Sequence, residues 1–136
     1  MGVVVMVAYS FQPMFVDPIL MGRKVHTIRA DRKRHARVGE QLQLYTGMRT
    51  KKCRLIARAQ CLDVLPLSIS FTALRATDRL QMLDGQRIEG DGLDAFAYRD
   101  GFDSWRHLKE FWCLQHGRTD RFDGVIIYWR DMECML

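Results

Sequence analysis

No apolar run in this chain approaches the roughly 20 residues that span a membrane. Val3-Val4-Val5-Met6-Val7-Ala8 is too short for a secretory core and lacks a basic leader. No P-loop, Gly-x-Ser-x-Gly or His-Glu-x-x-His pattern occurs, so the common signatures of phosphate cradles, serine hydrolases and zinc peptidases are absent. Cysteine is sparse and poorly spaced for metal. Cys53, Cys61, Cys113 and Cys134 contain no Cys-x-x-Cys, and Cys113 with His116 makes only a lone Cys-x-x-His. Buried, reduced thiols acting as small hydrophobes are expected; on a regular strand Cys53 and Cys61 would share a face. No carboxylate cluster suggests a metal, and no cofactor is expected. No repeat, low-complexity tract or linker interrupts the 136 residues, whose 48% hydrophobic content suits one core and a single domain over 1–136. The cytoplasm is the expected compartment, with no membrane partner.

Acid is what the middle of the chain lacks. Between Arg23 and Arg58 there are 12 Lys/Arg against Asp31 and Glu40; the remainder holds nine basic and 14 acidic residues. The net +5 is therefore +10 in one segment and −5 elsewhere. Such segregation points to a polyanionic partner more strongly than the pI does. At the head of the segment stands Gly22-Arg23-Lys24-Val25-His26-Thr27-Ile28-Arg29. It brings a lysine, a hydroxyl and an arginine within six residues, as a pocket that holds an anion or activates a hydroxyl requires.

Val3 to Tyr9 reads as a buried strand and Met14 to Met21 as a short helix, with Pro18 near its first turn and Gly22 at its stop. Val25 to Arg29 is a second strand, followed by a mobile basic loop over Arg32 to Arg37. Gln41 to Tyr45 alternates as a half-buried strand. Thr46 to Lys51 is a polar turn into a strand over Cys53 to Leu65, which Pro66 interrupts before Leu67 to Phe71 resumes. Asp84-Gly85 signals a type I′ hairpin. Leu93 to Arg99 forms a helical turn. Asp103 or Ser104 caps a helix through Leu114 with Trp105, Leu108, Phe111 and Trp112 on one face. Val125 to Trp129 is a last buried strand. The result is an α+β chain of six or seven short strands with two or three flanking helices, closed or nearly closed into a barrel.

These elements resemble the ASCH domain family, a branch of the PUA-like barrels. The resemblance rests on Phe11-Gln12-Pro13, Ile19 to Lys24, Thr27-Ile28-Arg29 and Val38 to Tyr45. It continues through the Asp84-Gly85 hairpin, Phe96-Ala97, Asp100-Gly101-Phe102 and Phe122 to Trp129. It covers nearly the whole chain in family order, and Gly-x-Lys-x-x-Thr-Ile-Arg is its most specific element. The resemblance implies a PUA-like β-barrel with a cleft between the first helix, the second strand and the Asp100 region. It also implies RNA or a nucleoside ligand as partner. One small bacterial branch hydrolyses N4-acetylcytidine to cytidine and acetate with Lys, Thr and Glu. Lys24 and Thr27 stand on its lysine and threonine, and Asp100, one methylene shorter, is the best match for its glutamate. Another member is a ribonuclease, so the fold does not select a reaction.

Strand alternation puts Thr27 and Arg29 on one face, so Lys24 reaches Thr27 only from the helix-to-strand connection. Like charge from Arg23 and Arg29, with burial, would lower the Lys24 pKa toward that of a usable base. Thr27 would then be the nucleophile and Asp100 the proton donor to the departing amine. The RNA- or substrate-binding candidates are Arg23, Arg29, Tyr45, Arg49, Lys51 and Lys52, the last three as phosphate contacts in the Thr46 to Lys52 turn. Tyr45 and Trp129 fit base stacking and barrel core equally. His26 alternates away from Thr27 and reads as structural or surface. His35, His107 and His116 have no partner in register.

Overall fold

The computed structural model describes residues 5–72 and 77–136. Its elements are β1 (Met6–Phe11), a 3-10 turn (Pro13–Phe15), α1 (Val16–Leu20), β2 (His26–Ala30), β3 (Gln41–Thr46) and β4 (Arg54–Ser70). There follow β5 (Arg79–Met82), β6 (Arg87–Glu89), α2 (Gly92–Arg99), α3 (Trp105–His116) and β7 (Arg121–Cys134). Val3 and Val4, assigned above to the first strand, lie outside the described residues. Among the described residues no helix is long and apolar enough to cross a membrane.

The seven strands make one mixed sheet organised on β4. One edge of β4 pairs with β7 over most of its length; the other pairs with β3 through Gln60 and with β5 from Leu67 onward. Pro66 therefore does not break the strand. Its carbonyl accepts from Leu83 N at 3.0 Å, so its nitrogen faces that side too, and the ladder to β7 loses no bond. β1 runs parallel to β3, β2 runs antiparallel to β7, and β1 and β2 do not pair with each other. Of the two forms expected, closed or nearly closed, the sheet takes the second: it does not close into a strict barrel and stays parted at the β1–β2 seam. Arg29 on β2 crosses that seam, donating from Nη2 to Ser10 O on β1 at 2.7 Å.

Asp84-Gly85 forms a different hairpin from the type I′ expected. Met82 O accepts from Gly85 N and Met82 N donates to Gln86 O, while only Gly85 of the loop has a positive φ, +93°. That is a three-residue loop ending in a left-handed glycine, because Asp84 does not adopt the positive φ that type I′ requires. The Ser104 hydroxyl caps α3 by accepting from His107 N at 3.1 Å. Trp105, Leu108 and Trp112 turn into the core from this helix.

Two further expectations fail for local reasons. The Arg32 to Arg37 loop is anchored rather than mobile: Tyr9 OH accepts from Ala36 N at 3.0 Å and lies 2.9 Å from His35 Nδ1, while His35 Nε2 bonds Ala30 O at 2.9 Å. A carbonyl only accepts, so Nε2 carries the proton and Nδ1 takes the Tyr9 hydroxyl hydrogen. Glu40 clamps the same loop through Arg34 Nη2 and Arg37 N, both at 2.6 Å. Of the four cysteines, all free thiols, only Cys61 is buried; Cys53 precedes β4 and is exposed, as are Cys113 and Cys134.

Candidate functional site

The first half of the site comes from how α1 ends. Gly22 adopts φ +76°, and the Pro18 carbonyl accepts from both Arg23 N and Lys24 N, at 3.0 and 2.9 Å. This turn leaves Lys24 in the connection before β2, where strand alternation does not yet apply. The second half comes from how α2 ends. Gly101 N donates to Tyr98 O and Phe102 N to Ala97 O, at 3.1 and 2.9 Å, the paired bonds of a Schellman cap with Gly101 at φ +97°. A Cβ on Gly101 would lie 2.9 Å from Phe15 Cδ1 and 3.0 Å from Lys24 Cδ, so the glycine is needed for close approach as well as for conformation. The cap drives Phe102 into the core and turns the Asp100 carboxylate toward Lys24.

Lys24 and Asp100 are each 2% exposed, and Lys24 Nζ lies 3.1 Å from Asp100 Oδ1 and also donates to the Asp100 carbonyl. His26 Nδ1 meets the same Oδ1 at 3.0 Å, its ring stacked on Phe96 at 4.8 Å and edge-on to Tyr128 at 5.2 Å. Among the described residues Oδ2 receives no hydrogen bond. Burial pushes the Lys24 ammonium below the usual lysine range, with Arg29 and Arg23 adding to the effect and Asp100 opposing it. Burial alone would lift the Asp100 carboxyl. The Lys24 charge and the hydrogen bonds from His26 and Lys24 outweigh it and hold Asp100 below the usual carboxyl range.

Thr27 is 4% exposed, and its hydroxyl accepts from Arg29 Nε at 3.1 Å. That bond uses an oxygen lone pair and leaves the hydroxyl hydrogen free for another acceptor. The Arg29 guanidinium lies 4.7 Å from the centre of the Phe11 ring. Its pKa is lowered to about 10, chiefly by burial. Lys24, Thr27, Arg29 and Asp100 open together onto a cleft of about 500 Å³ at the unpaired β1–β2 seam. Phe11, Phe15, Phe102, Phe111 and Trp112 wall it, while Arg32, His35 and His116 also line it. The Trp112 indole N–H is buried and has no hydrogen-bond partner among the described residues.

The other sequence candidates lie elsewhere. Arg23 does not line the cleft: it donates to the carbonyls of Tyr98, Gly101 and Phe102 and stacks 4.3 Å from the Tyr98 ring, bracing the Asp100 turn. Cationic donors at a helix C-terminus meet its free carbonyls and the negative end of its dipole. Tyr45, half-buried on β3, is not among the cleft residues, and Trp129 packs edge-on against Phe11 in the core. Arg49, Lys51 and Lys52 are exposed on the β3–β4 turn and do not line the cleft. His26 is the residue that sequence reasoning passed over. Its alternation away from Thr27 was visible, but Lys24 and His26, two apart, both reach Asp100, and a partner 74 residues away gives no local signal. Among the described residues no group of three or more His, Cys, Asp or Glu could hold a metal ion.

The open seven-stranded sheet, its three helices and the cleft at the β1–β2 seam define an α+β, PUA-like architecture. Solved structures specify it further. The ASCH protein of Zymomonas mobilis superposes with a TM-score of 0.50 at 16% identity, covering 93% of this chain and 67% of that one. A mutant of the same protein matches with the same score and identity over 93% and 69%. The chain has the ASCH-domain fold. At 16% identity the likeness is one of fold. No family model and no curated protein matches the sequence.

Proposed function

We propose that the protein binds RNA or a nucleoside-containing ligand with a base in the Lys24–Thr27–Asp100 cleft. The observation that supports this most is the composition of the cleft. Its aromatic walls offer stacking faces, while its floor carries a hydroxyl, a carboxylate oxygen without a hydrogen bond and two buried cations. A volume of about 500 Å³ accommodates a nucleoside. The Asp100 carboxylate accepts from an exocyclic amine; the Arg29 guanidinium and the Trp112 N–H donate to base carbonyls. Arg32 at the cleft sits 4.7 Å from the Tyr9 ring, and its charge attracts the phosphate chain outside. Affinity for a short single-stranded RNA is expected to fall by about tenfold between 50 and 200 mM salt, as a few phosphate contacts release counterions. Anisotropy titrations measure this; absent binding, or binding indifferent to salt, contradicts the reading.

Lys24 and Thr27 are both buried and both line the cleft, which favours a second reading, an amidohydrolase acting on N4-acetylcytidine, although among the described residues no hydrogen bond joins the two side chains. The neutral fraction of Lys24, which burial increases, takes the Thr27 proton as Oγ1 attacks the acetyl carbon. Arg29 Nε stays on Oγ1 as negative charge develops there. The C–N4 bond breaks, Lys24 returns the proton to N4, and water hydrolyses the acetyl ester to acetate and free Thr27. Asp100 enters this sequence as a carboxylate. It orients and charge-balances Lys24, in place of the donor role expected from sequence, because Lys24 and His26 keep it ionised. No specific observation favours RNA cleavage.

A further inference from the structure

Beyond the cleft, three cations of the basic segment gather at one place. Arg23, Lys24 and Arg29 are engaged inside the protein, and Arg34 is paired with Glu40. Lys51, Lys52 and Arg54 take part in no ion pair among the described residues. The three line a groove of about 450 Å³ at the β3–β4 turn, together with Pro13, Thr46 and Gly47. The turn is tightly built. Gly47 has φ +67°, a Cβ there would sit 2.7 Å from Lys52 O, and the Thr50 hydroxyl closes the loop onto Gly47 O at 2.6 Å. Cations carried on such a turn are held in place relative to the sheet.

The floor of this groove carries an independent anomaly. Thr46 is only 5% exposed, yet its hydroxyl has no hydrogen-bond partner among the described residues. A buried hydroxyl left unpaired is costly, and an acceptor placed against it recovers that cost. Thr46 is also the link to the cleft. It pairs with Phe11, a cleft wall, on one side and with Arg54 on the other. Gln12 lines the cleft and Pro13, the next residue, lines the groove. The two depressions therefore meet at neighbouring residues of the chain.

We propose that the groove is a phosphate subsite for the nucleotide adjoining the one whose base occupies the cleft, so that the preferred ligand is a single-stranded polynucleotide rather than a free nucleoside. Lys51, Lys52 and Arg54 neutralise the phosphodiester, and the Thr46 hydroxyl donates to one of its oxygens. This rests on the cleft reading and adds a second point of attachment to it, which raises affinity without any new base contact.

Isothermal titration of cytidine and of a cytidine hexaribonucleotide, each at 50 mM salt, tests the subsite. The hexanucleotide is expected to bind at least about tenfold tighter than cytidine. Lys51→Ala/Lys52→Ala/Arg54→Ala should erase that increment and leave the cytidine affinity within about twofold, since none of the three lines the cleft. Thr46→Val, which removes the unpaired hydroxyl and keeps a β-branched side chain, should melt no lower than the parent and weaken the hexanucleotide about tenfold. Cytidine bound without any hexanucleotide increment overturns the subsite alone, as does an increment that survives the triple substitution. Failure of both ligands to bind overturns the cleft reading and the subsite with it.

Discussion

Asp100→Ala is expected to destabilise the fold by about 3–5 kcal/mol, the range for removing one partner of a buried ion pair. For a chain of this size that lowers the melting temperature by about 10 °C or more. The substitution strips Lys24 Nζ and His26 Nδ1 of the Oδ1 acceptor they share, at a site where both residues are almost wholly buried. Lys24→Met should cost a similar amount by leaving a buried carboxylate with only His26. The double variant Lys24→Met/Asp100→Ala should be less destabilised than the sum of the singles, because no charge is then left unpaired. The pH dependence has a definite sign. Asp100 is held below the usual carboxyl range in the folded state, so its contribution is fully present above the unfolded value. That contribution is lost as pH falls through the lower folded value, and the gap between parent and Asp100→Ala should close on acidification. Denaturant melts of the four proteins across pH test this; single variants within about 1 kcal/mol of the parent (about a fivefold change in equilibrium), or strict additivity, contradict it.

The second large effect concerns Thr27. Incubated with N4-acetylcytidine, the parent should release cytidine and acetate, and Thr27→Ala should lower that rate by about 10³-fold or more, because it deletes the attacking atom. Stability should change little. Among the described residues the Thr27 side chain makes one hydrogen bond, the 3.1 Å bond from Arg29 Nε, and Arg29 retains its bond to Ser10 O. Thr27→Ser keeps the hydroxyl and should keep most of the activity. Cytidine binding by Thr27→Ala should persist, since aromatic walls and Arg29 remain. Equal cytidine release by parent and Thr27→Ala, or none by either, removes the amidohydrolase reading and leaves base binding standing.

What could be read from sequence and what could not divides along the range of the forces. Local stereochemistry carried Gly22 as the end of α1, Ser104 as one of two caps for α3, and the buried stripe of Trp105, Leu108 and Trp112. Pro66 and Asp84-Gly85 misled because a proline is tolerated wherever its nitrogen faces an unpaired edge, and a glycine can close a three-residue loop as well as a two-residue one. Charge pattern showed that the Arg23–Arg58 segment is basic but not how its charges are used. Arg23 braces the α2 terminus, Arg29 spans the seam, and Arg34 clamps its own loop. The loop over Arg32 to Arg37 was read as mobile because its anchors, Tyr9 and Glu40, lie outside it. The pairing of Lys24 and His26 with Asp100 joins residues more than 70 positions apart, which no periodicity encodes.

The central claim, that a nucleobase enters the cleft at the β1–β2 seam, is open to direct measurement by titrating isotopically labelled protein with cytidine and following its amide and indole resonances. Three tryptophans make the indole region simple to read, and Trp112 is the one that lines the cleft. The account predicts shifts at the Thr27 and Arg29 amides and at the Trp112 indole N–H, with Trp105 and Trp129 unmoved. Arg29→Ala should weaken the effect by about tenfold, the loss of one charged hydrogen-bonding group. Shifts confined to the separate depression lined by Glu40 and Glu133, or none at millimolar cytidine, would contradict it.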